Sequence, residues 1–192
     1  LTCRMNRMNI ARAEDGSAMV NEDLKPLFHG EVTKQSFSPR AATTNVVTVP
    51  LVKNTNKIRI ILQQLSDGGV DASKFEFSIT DDNGLMNYNN KLLEDEMLTY
   101  YPWHTGQGST TDGGHSDESD TKINVAVAQL TVGRLMADNH PKLTITNKET
   151  EKTVLSIPLV DYLLLTEAEG HNMSAQEYLD RQDEYNLSLI HI

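Results

Sequence analysis

One cysteine, Cys3, stands in 192 residues, which excludes an internal disulfide and a multi-cysteine zinc site. Basic residues are also scarce. Seventeen Lys and Arg face 27 Asp and Glu, a formal charge of −10. A nucleic-acid binder needs a basic face to neutralise phosphates, so no such partner is expected. No apolar run approaches the roughly 18–20 residues of a spanning helix. The best candidate, Ile157 to Leu165, is broken by Asp161. The chain lacks a Gly-x-Ser-x-Gly elbow, a phosphate loop and a dinucleotide fingerprint. His29, His104, His115, His140 and His171 lie too far apart for zinc spacing. Cys3 has no catalytic partner near it in sequence. The chain is therefore not expected to be an enzyme, and no cofactor or metal site is expected.

What remains is ordinary globular composition, 38% hydrophobic and 23% charged. The apolar residues fall into β patterns from Asn45 onward. Val47, Val49 and Leu51 alternate with Thr48, Pro50 and Val52, which predicts a strand at an edge or bulge, because Pro50 has no N–H. Ile58, Ile60 and Leu62 predict the inward face of a second strand over 56–65. Phe75, Phe77 and Ile79 give the cleanest half-buried strand, ending at the turn Asp81-Asp82-Asn83-Gly84. That turn superficially resembles a calcium loop but lacks its ligand order and its later bidentate Glu. Leu98 to Trp103 predicts an aromatic-rich strand, residues 104–121 read as a long exposed loop, and Ile123, Val125 and Val127 restart the alternation. Leu143 and Ile145, a polar turn at 147–152, and a strand from Val154 to Leu165 complete the β inventory. One helix is specified, from Ser174 to about Gln182. Ser174-Ala175-Gln176-Glu177 forms a capping box, with Met173 and Tyr178 at staple spacing. Several short strands with one small helix predict a mainly β protein built as a β-sandwich.

Two clusters are candidate binding features. Tyr100, Tyr101 and Trp103, beside His104, could stack against a sugar, or could be core and rim packing. The acidic stretch from Asp112 to Asp120 could gather weak calcium, or be a solvated loop.

A longer pattern is more specific. Leu155-Ser156-Ile157-Pro158-Leu159-Val160-Asp161-Tyr162-Leu163-Leu164-Leu165 is followed by the run from Met173 to Tyr185, with its QEYLDRQDEY segment. Earlier come Asn54 to Ile60, Asp82-Asn83-Gly84 with Asn87 and Asn90, Tyr101-Pro102, and Gly133-Arg134-Leu135-Met136. In this order the chain resembles the FimB/Mfa-type fimbrial anchor family (minor fimbrial subunits) of Bacteroidota, from about Leu27 to Tyr185. The resemblance implies a cell-surface, outer-membrane lipoprotein of two transthyretin-like β-sandwich domains that holds a fimbrium to the cell and helps set its length. Its partners would be fimbrial structural subunits, joined non-covalently strand to strand, and the outer membrane through a lipid anchor on an N-terminal part outside this chain. A glycan-binding or adhesive surface sandwich is the alternative. A stalk or tip fimbrillin would share the fold.

On this reading residues 1–39 are the C-terminal remnant of a first sandwich domain and its linker. Residues 40–192 are the second domain, a transthyretin-like sandwich with one short C-terminal helix. Leu1-Thr2-Cys3-Arg4 reads as the interior of a larger protein. Leu187 to Ile192 is what CTG TCT CTT ATA CAC ATC encodes, a transposase adapter of sequencing libraries. Residues 187–192 are thus expected to be a read-through scar, the other reading being an apolar final strand.

Overall fold

The computed structural model describes residues 2–4, 10–37, 44–64, 69–111, 122–165 and 172–191. Their strands are β1 (Thr2–Arg4), β2 (Ala11–Arg12), β3 (Ala18–Val20), β4 (Phe28–His29), β5 (Val52–Lys53), β6 (Thr55–Gln64), β7 (Phe75–Asp81), β8 (Leu85–Asn87), β9 (Leu98–Tyr100), β10 (His104–Thr111), β11 (Lys122–Gly133), β12 (Lys142–Asn147), β13 (Lys152–Pro158) and β14 (Glu184–His191). Two short helices, α1 (Leu159–Leu164) and α2 (Ala175–Arg181), sit between β13 and β14. The described residues are mainly β, with few in helices.

Two sheets form the sandwich. One has the order β10-β11-β6-β14 and the other β13-β12-β7-β9-β3-β2. Alternation decides what lies between them. Ile58, Ile60 and Leu62 from β6 and Ala126, Ala128, Leu130 and Val132 from β11 meet Phe75, Phe77 and Ile79 from β7 and Leu143 and Ile145 from β12. At one end α1 adds Leu159, Val160 and Leu163, and α2 adds Leu179, to the same core.

The strands expected at 56–65, 75–80, 123–127 and 143–145 all form. Three expectations are corrected. Residues 44–51 belong to no strand, and only Val52–Lys53 pairs, with Phe28–His29. The alternation there is real, but no second sheet covers it: Val46 is 82% exposed and Leu51 64%. The loop expected from residue 104 is instead strand β10 as far as Thr111, in register with β11 from His104↔Gln129 to Thr111↔Lys122. Gly106 and Gly108 hid it, because a strand's alternation disappears from sequence when one face carries no side chain. Residues 112–121 lie outside the described residues.

The third correction concerns 154–165. The strand stops at Pro158, which caps α1, and Leu159, Val160 and Leu163 are buried at helical spacing. There are thus two α-helices near the C-terminus, and α2 matches the expected span, with Ser174 as its N-cap.

Residues on both sides of position 40 share this core. Ala18, Val20 and Leu24 are buried with the residues beyond 44, and β3 pairs in parallel with β9 through Ala18↔Leu98 and Val20↔Tyr100. At the other end β14 runs parallel to β6, with Leu187↔Ile60 and Leu189↔Leu62, and both leucines are buried.

Candidate functional site

Several of the motifs that carry the family resemblance lie far apart in sequence and meet in one place. Asn54 and Asn90 exchange amide bonds of 2.6 and 3.0 Å in the interior. Asn90 holds a left-handed φ of 63°, a conformation its short polar side chain tolerates. Asn56 donates to the Gln182 carbonyl at 2.9 Å and accepts from the Leu135 N–H at 3.2 Å. Asn83 donates to the Arg134 carbonyl at 3.2 Å and accepts from the buried Tyr100 hydroxyl. Gly133 lets Asn83 approach closely: a Cβ there would lie 3.0 Å from the Asn83 side chain.

Arg134 is the centre of this network. Its guanidinium makes a bidentate pair with Asp180, at 2.8 Å from Nε and 2.6 Å from Nη2, and Nη1 donates to the Asn90 carbonyl at 2.9 Å. Gln176 closes the ring, donating to Asp180 at 2.9 Å and accepting from the Ala137 N–H at 2.9 Å. The polar face of α2 is thereby clamped to the loop after β11, while Leu179 fills the core. The Tyr185 hydroxyl donates to the Leu179 carbonyl at 3.3 Å, fastening the step from α2 into β14. In the sequence these residues form only a pattern. Their asparagines at strand ends and an Arg following Gly133 were the signal, since such groups persist inside a protein only when satisfied. In the capping box, Ser174 accepts from the Glu177 N–H, but the Glu177 carboxylate pairs with Arg181 instead of returning to the cap.

Next to the clamp, Asp81 is almost wholly buried. It accepts from Asn139 and from the Asp82 N–H, while Oδ2 has no partner among the described residues. Burial first, and the neighbouring Asp82 charge after it, lift its carboxyl to about 7. The Asp81-Asp82-Asn83-Gly84 segment is the turn between β7 and β8. No group of three or more metal-ligating side chains occurs among the described residues. The acidic stretch from Asp112 to Asp120 lies outside them.

The three aromatic candidates separate. Tyr100 is in the core with no exposed surface, so its ring cannot meet a ligand. Tyr101 is half-buried, and its N–H donates to Val20. Trp103 is 37% exposed, its ring centroid 6.0 Å from that of His104. It lines a depression of about 360 Å³ on the four-stranded sheet, where β6, β11 and β14 lie side by side.

Apolar surface collects elsewhere. Eight of the twelve exposed large hydrophobic residues among those described fall between Leu27 and Leu51. The two limbs of this arm touch at β4 and β5, where Asn54 donates to the Leu27 carbonyl at 2.6 Å. The limbs also touch at Gly30, where a Cβ would lie 2.5–2.8 Å from atoms of Leu51, Pro50 and Val49, while Val46, Val47, Val49 and Leu51 keep exposed surface on backbone without a ladder. No helix among the described residues is long and apolar enough to cross a membrane.

A family model for fimbrillin-A associated anchor proteins Mfa1 and Mfa2 matches residues 1–190. A candidate adhesin of Bacteroides thetaiotaomicron is 44% identical with a TM-score of 0.67, over 75% of this chain and 48% of that one. A candidate polysaccharide-binding protein of the same species is 30% identical with a TM-score of 0.71, over 88% of this chain and 55% of that one. The fimbrial anchor protein Mfa2 of Porphyromonas gingivalis is 16% identical with a TM-score of 0.58, over 94% and 56%, and shares the fold. This chain spans about half the length of these solved relatives. No curated protein matches it.

Proposed function

The chain belongs to the family of fimbrillin-A associated anchor proteins, and on that premise we propose that it is part of a fimbrial anchor. It attaches a fimbrium to the outer membrane and helps set its length, through non-covalent contacts with fimbrial structural subunits. The membrane link would be a lipid anchor on a part of the protein outside this chain, and the role is structural, without catalysis.

The observation that supports this reading is the set of exposed large apolar side chains in residues 27–37 and 44–51. Large apolar side chains concentrated in this way on a surface mark interaction sites. Residues 44–51 belong to no sheet ladder among the described residues. They can add to a sheet edge, main-chain bonds supplying affinity and the alternate side chains Val47, Val49 and Leu51 supplying register. A sandwich subunit of the fimbrium offers such edges.

The test places a photo-crosslinking amino acid at Val47 in the full-length protein on fimbriated cells. An adduct with a fimbrial structural subunit is expected, and none from the exposed Thr153 on β13. Adducts confined to the protein's own polypeptide would mean that the arm is covered intramolecularly and would reject it as the subunit contact. Deletion of the gene should release fimbriae and change their length. Unchanged attachment and length would reject the anchor role, and recovery of the protein along shed fibres would favour a stalk or tip subunit.

A further inference from the structure

The depression beside Trp103 is a second feature, physically unlike the arm. Arg59, Gln129 and Asn186 stand opposite one another on β6, β11 and β14. Each is flanked along its strand by core residues: Ile58 and Ile60, Ala128 and Leu130, Tyr185 and Leu187. Alternation therefore turns all three to the solvent face. None of the three side chains has a hydrogen-bond or ionic partner among the described residues. Lys57 and Glu184 also line the depression, and Lys57 already lies 3.5 Å from Asp23.

These facts restrict the ligand. The row of groups crosses three strands through side chains, so it cannot extend a sheet as a docked peptide strand would. A protein of charge −10 repels polyanions. A half-exposed indole offers a flat apolar face with a polar edge. The amides of Gln129 and Asn186 donate and accept, and the Arg59 guanidinium donates as a fork. Paired hydroxyls on a ring with an apolar face satisfy all of these together. The volume of about 360 Å³ falls within the range of small-ligand sites. We propose that this groove binds a neutral pyranose oligosaccharide, one ring stacked on Trp103 and its hydroxyls held by Arg59, Gln129 and Asn186. Tyr100 and Tyr101 take no part.

Trp103 is the chain's single tryptophan, so its fluorescence reports on the groove alone. The protein is titrated with mannohexaose, laminarihexaose and cellohexaose, and with hexagalacturonate as the charged arm. At least one neutral hexaose should change the emission saturably and independently of salt. Calorimetry should find that binding weakened about tenfold in Arg59→Ala and in Gln129→Ala, as when a hydrogen bond to a ligand is lost. Trp103→Phe should retain part of it and Trp103→Ala none. Arg59 is exposed, so its variant should keep the wild-type melting temperature and confirm that the fold is intact. Silence with every neutral hexaose overturns the proposal, as does equal binding by the Arg59 and Gln129 variants. A response to hexagalacturonate alone that vanishes in salt also overturns it, as simple attraction to Arg59. The crosslink at Val47 reads a different surface, so failure here leaves the attachment role standing.

Discussion

Arg134 keeps 10% of its side chain exposed and its partner Asp180 keeps 18%. Removing one member of such a pair strands the other charge away from water, which costs about 3–5 kcal/mol. Arg134→Ala and Asp180→Ala should each lower the unfolding free energy read from urea titration by that order. The double variant should cost well under their sum, because the second truncation leaves no orphan; additive losses would contradict a coupled pair. Asp81 is costly in a different way. Its folded value of about 7 exceeds the roughly 3.9 of an unfolded aspartate. Between those values the folded state holds a proton that the unfolded chain releases. The contribution is therefore full below about pH 4, fades as pH rises through about 7, and stays lost above it. Asp81→Asn should match the wild type near pH 4 and melt higher than it at pH 8. A gap that does not vary with pH would refute the assignment.

Among elements, the arm and β14 invite opposite expectations although both are alternating apolar stretches. Leu187 and Leu189 of β14 are buried against β6, whereas Val46, Val47, Val49 and Leu51 meet solvent. Replacing Val47, Val49 and Leu51 together by Ser should leave the melting temperature within the small change typical of surface sites, about 0.5 kcal/mol each. With the crosslinker kept at position 47, Val49→Ser and Leu51→Ser together should remove the adduct with the fimbrial subunit. Marked destabilisation would show that the arm packs within the domain. The alternation itself was legible in both segments. Which of them found a neighbouring strand was not, because pairing depends on what lies alongside in space. The short helix α1 was illegible for a related reason, since a compact apolar run after Pro158 suits a buried strand as well as a buried helix.

For the molecule as a whole, β3 and Leu24 decide how much chain the fold needs. With Ala18, Val20 and Leu24 in the common core, a chain beginning at residue 40 would bare β9 and the side of Tyr100. It should unfold at a lower denaturant concentration and bind a hydrophobic dye. An unchanged midpoint would place residues 1–39 outside the domain. Apolar burial on this scale is worth roughly 25 cal/mol per Å² removed from water, which makes even three lost residues measurable.

Composition and period were sufficient for the β class, for the inward faces of β6, β7 and β12, and for the capped start of α2. These depend on residues close in sequence, whose geometry repeats every two or every 3.6 positions. The resemblance motifs were likewise visible, as scattered asparagines, a Gly-Arg pair and a charged helix. Only the tertiary structure decided that they are one clamp around Arg134, that Tyr100 belongs to the core, and that Trp103 stands over a polar groove. Only it decided that residues 44–51 remain uncovered. Each of those outcomes depends on groups tens of residues apart, and a linear pattern of polarity does not record which distant surface arrives to satisfy a charge, bury a ring or leave an apolar strand in water.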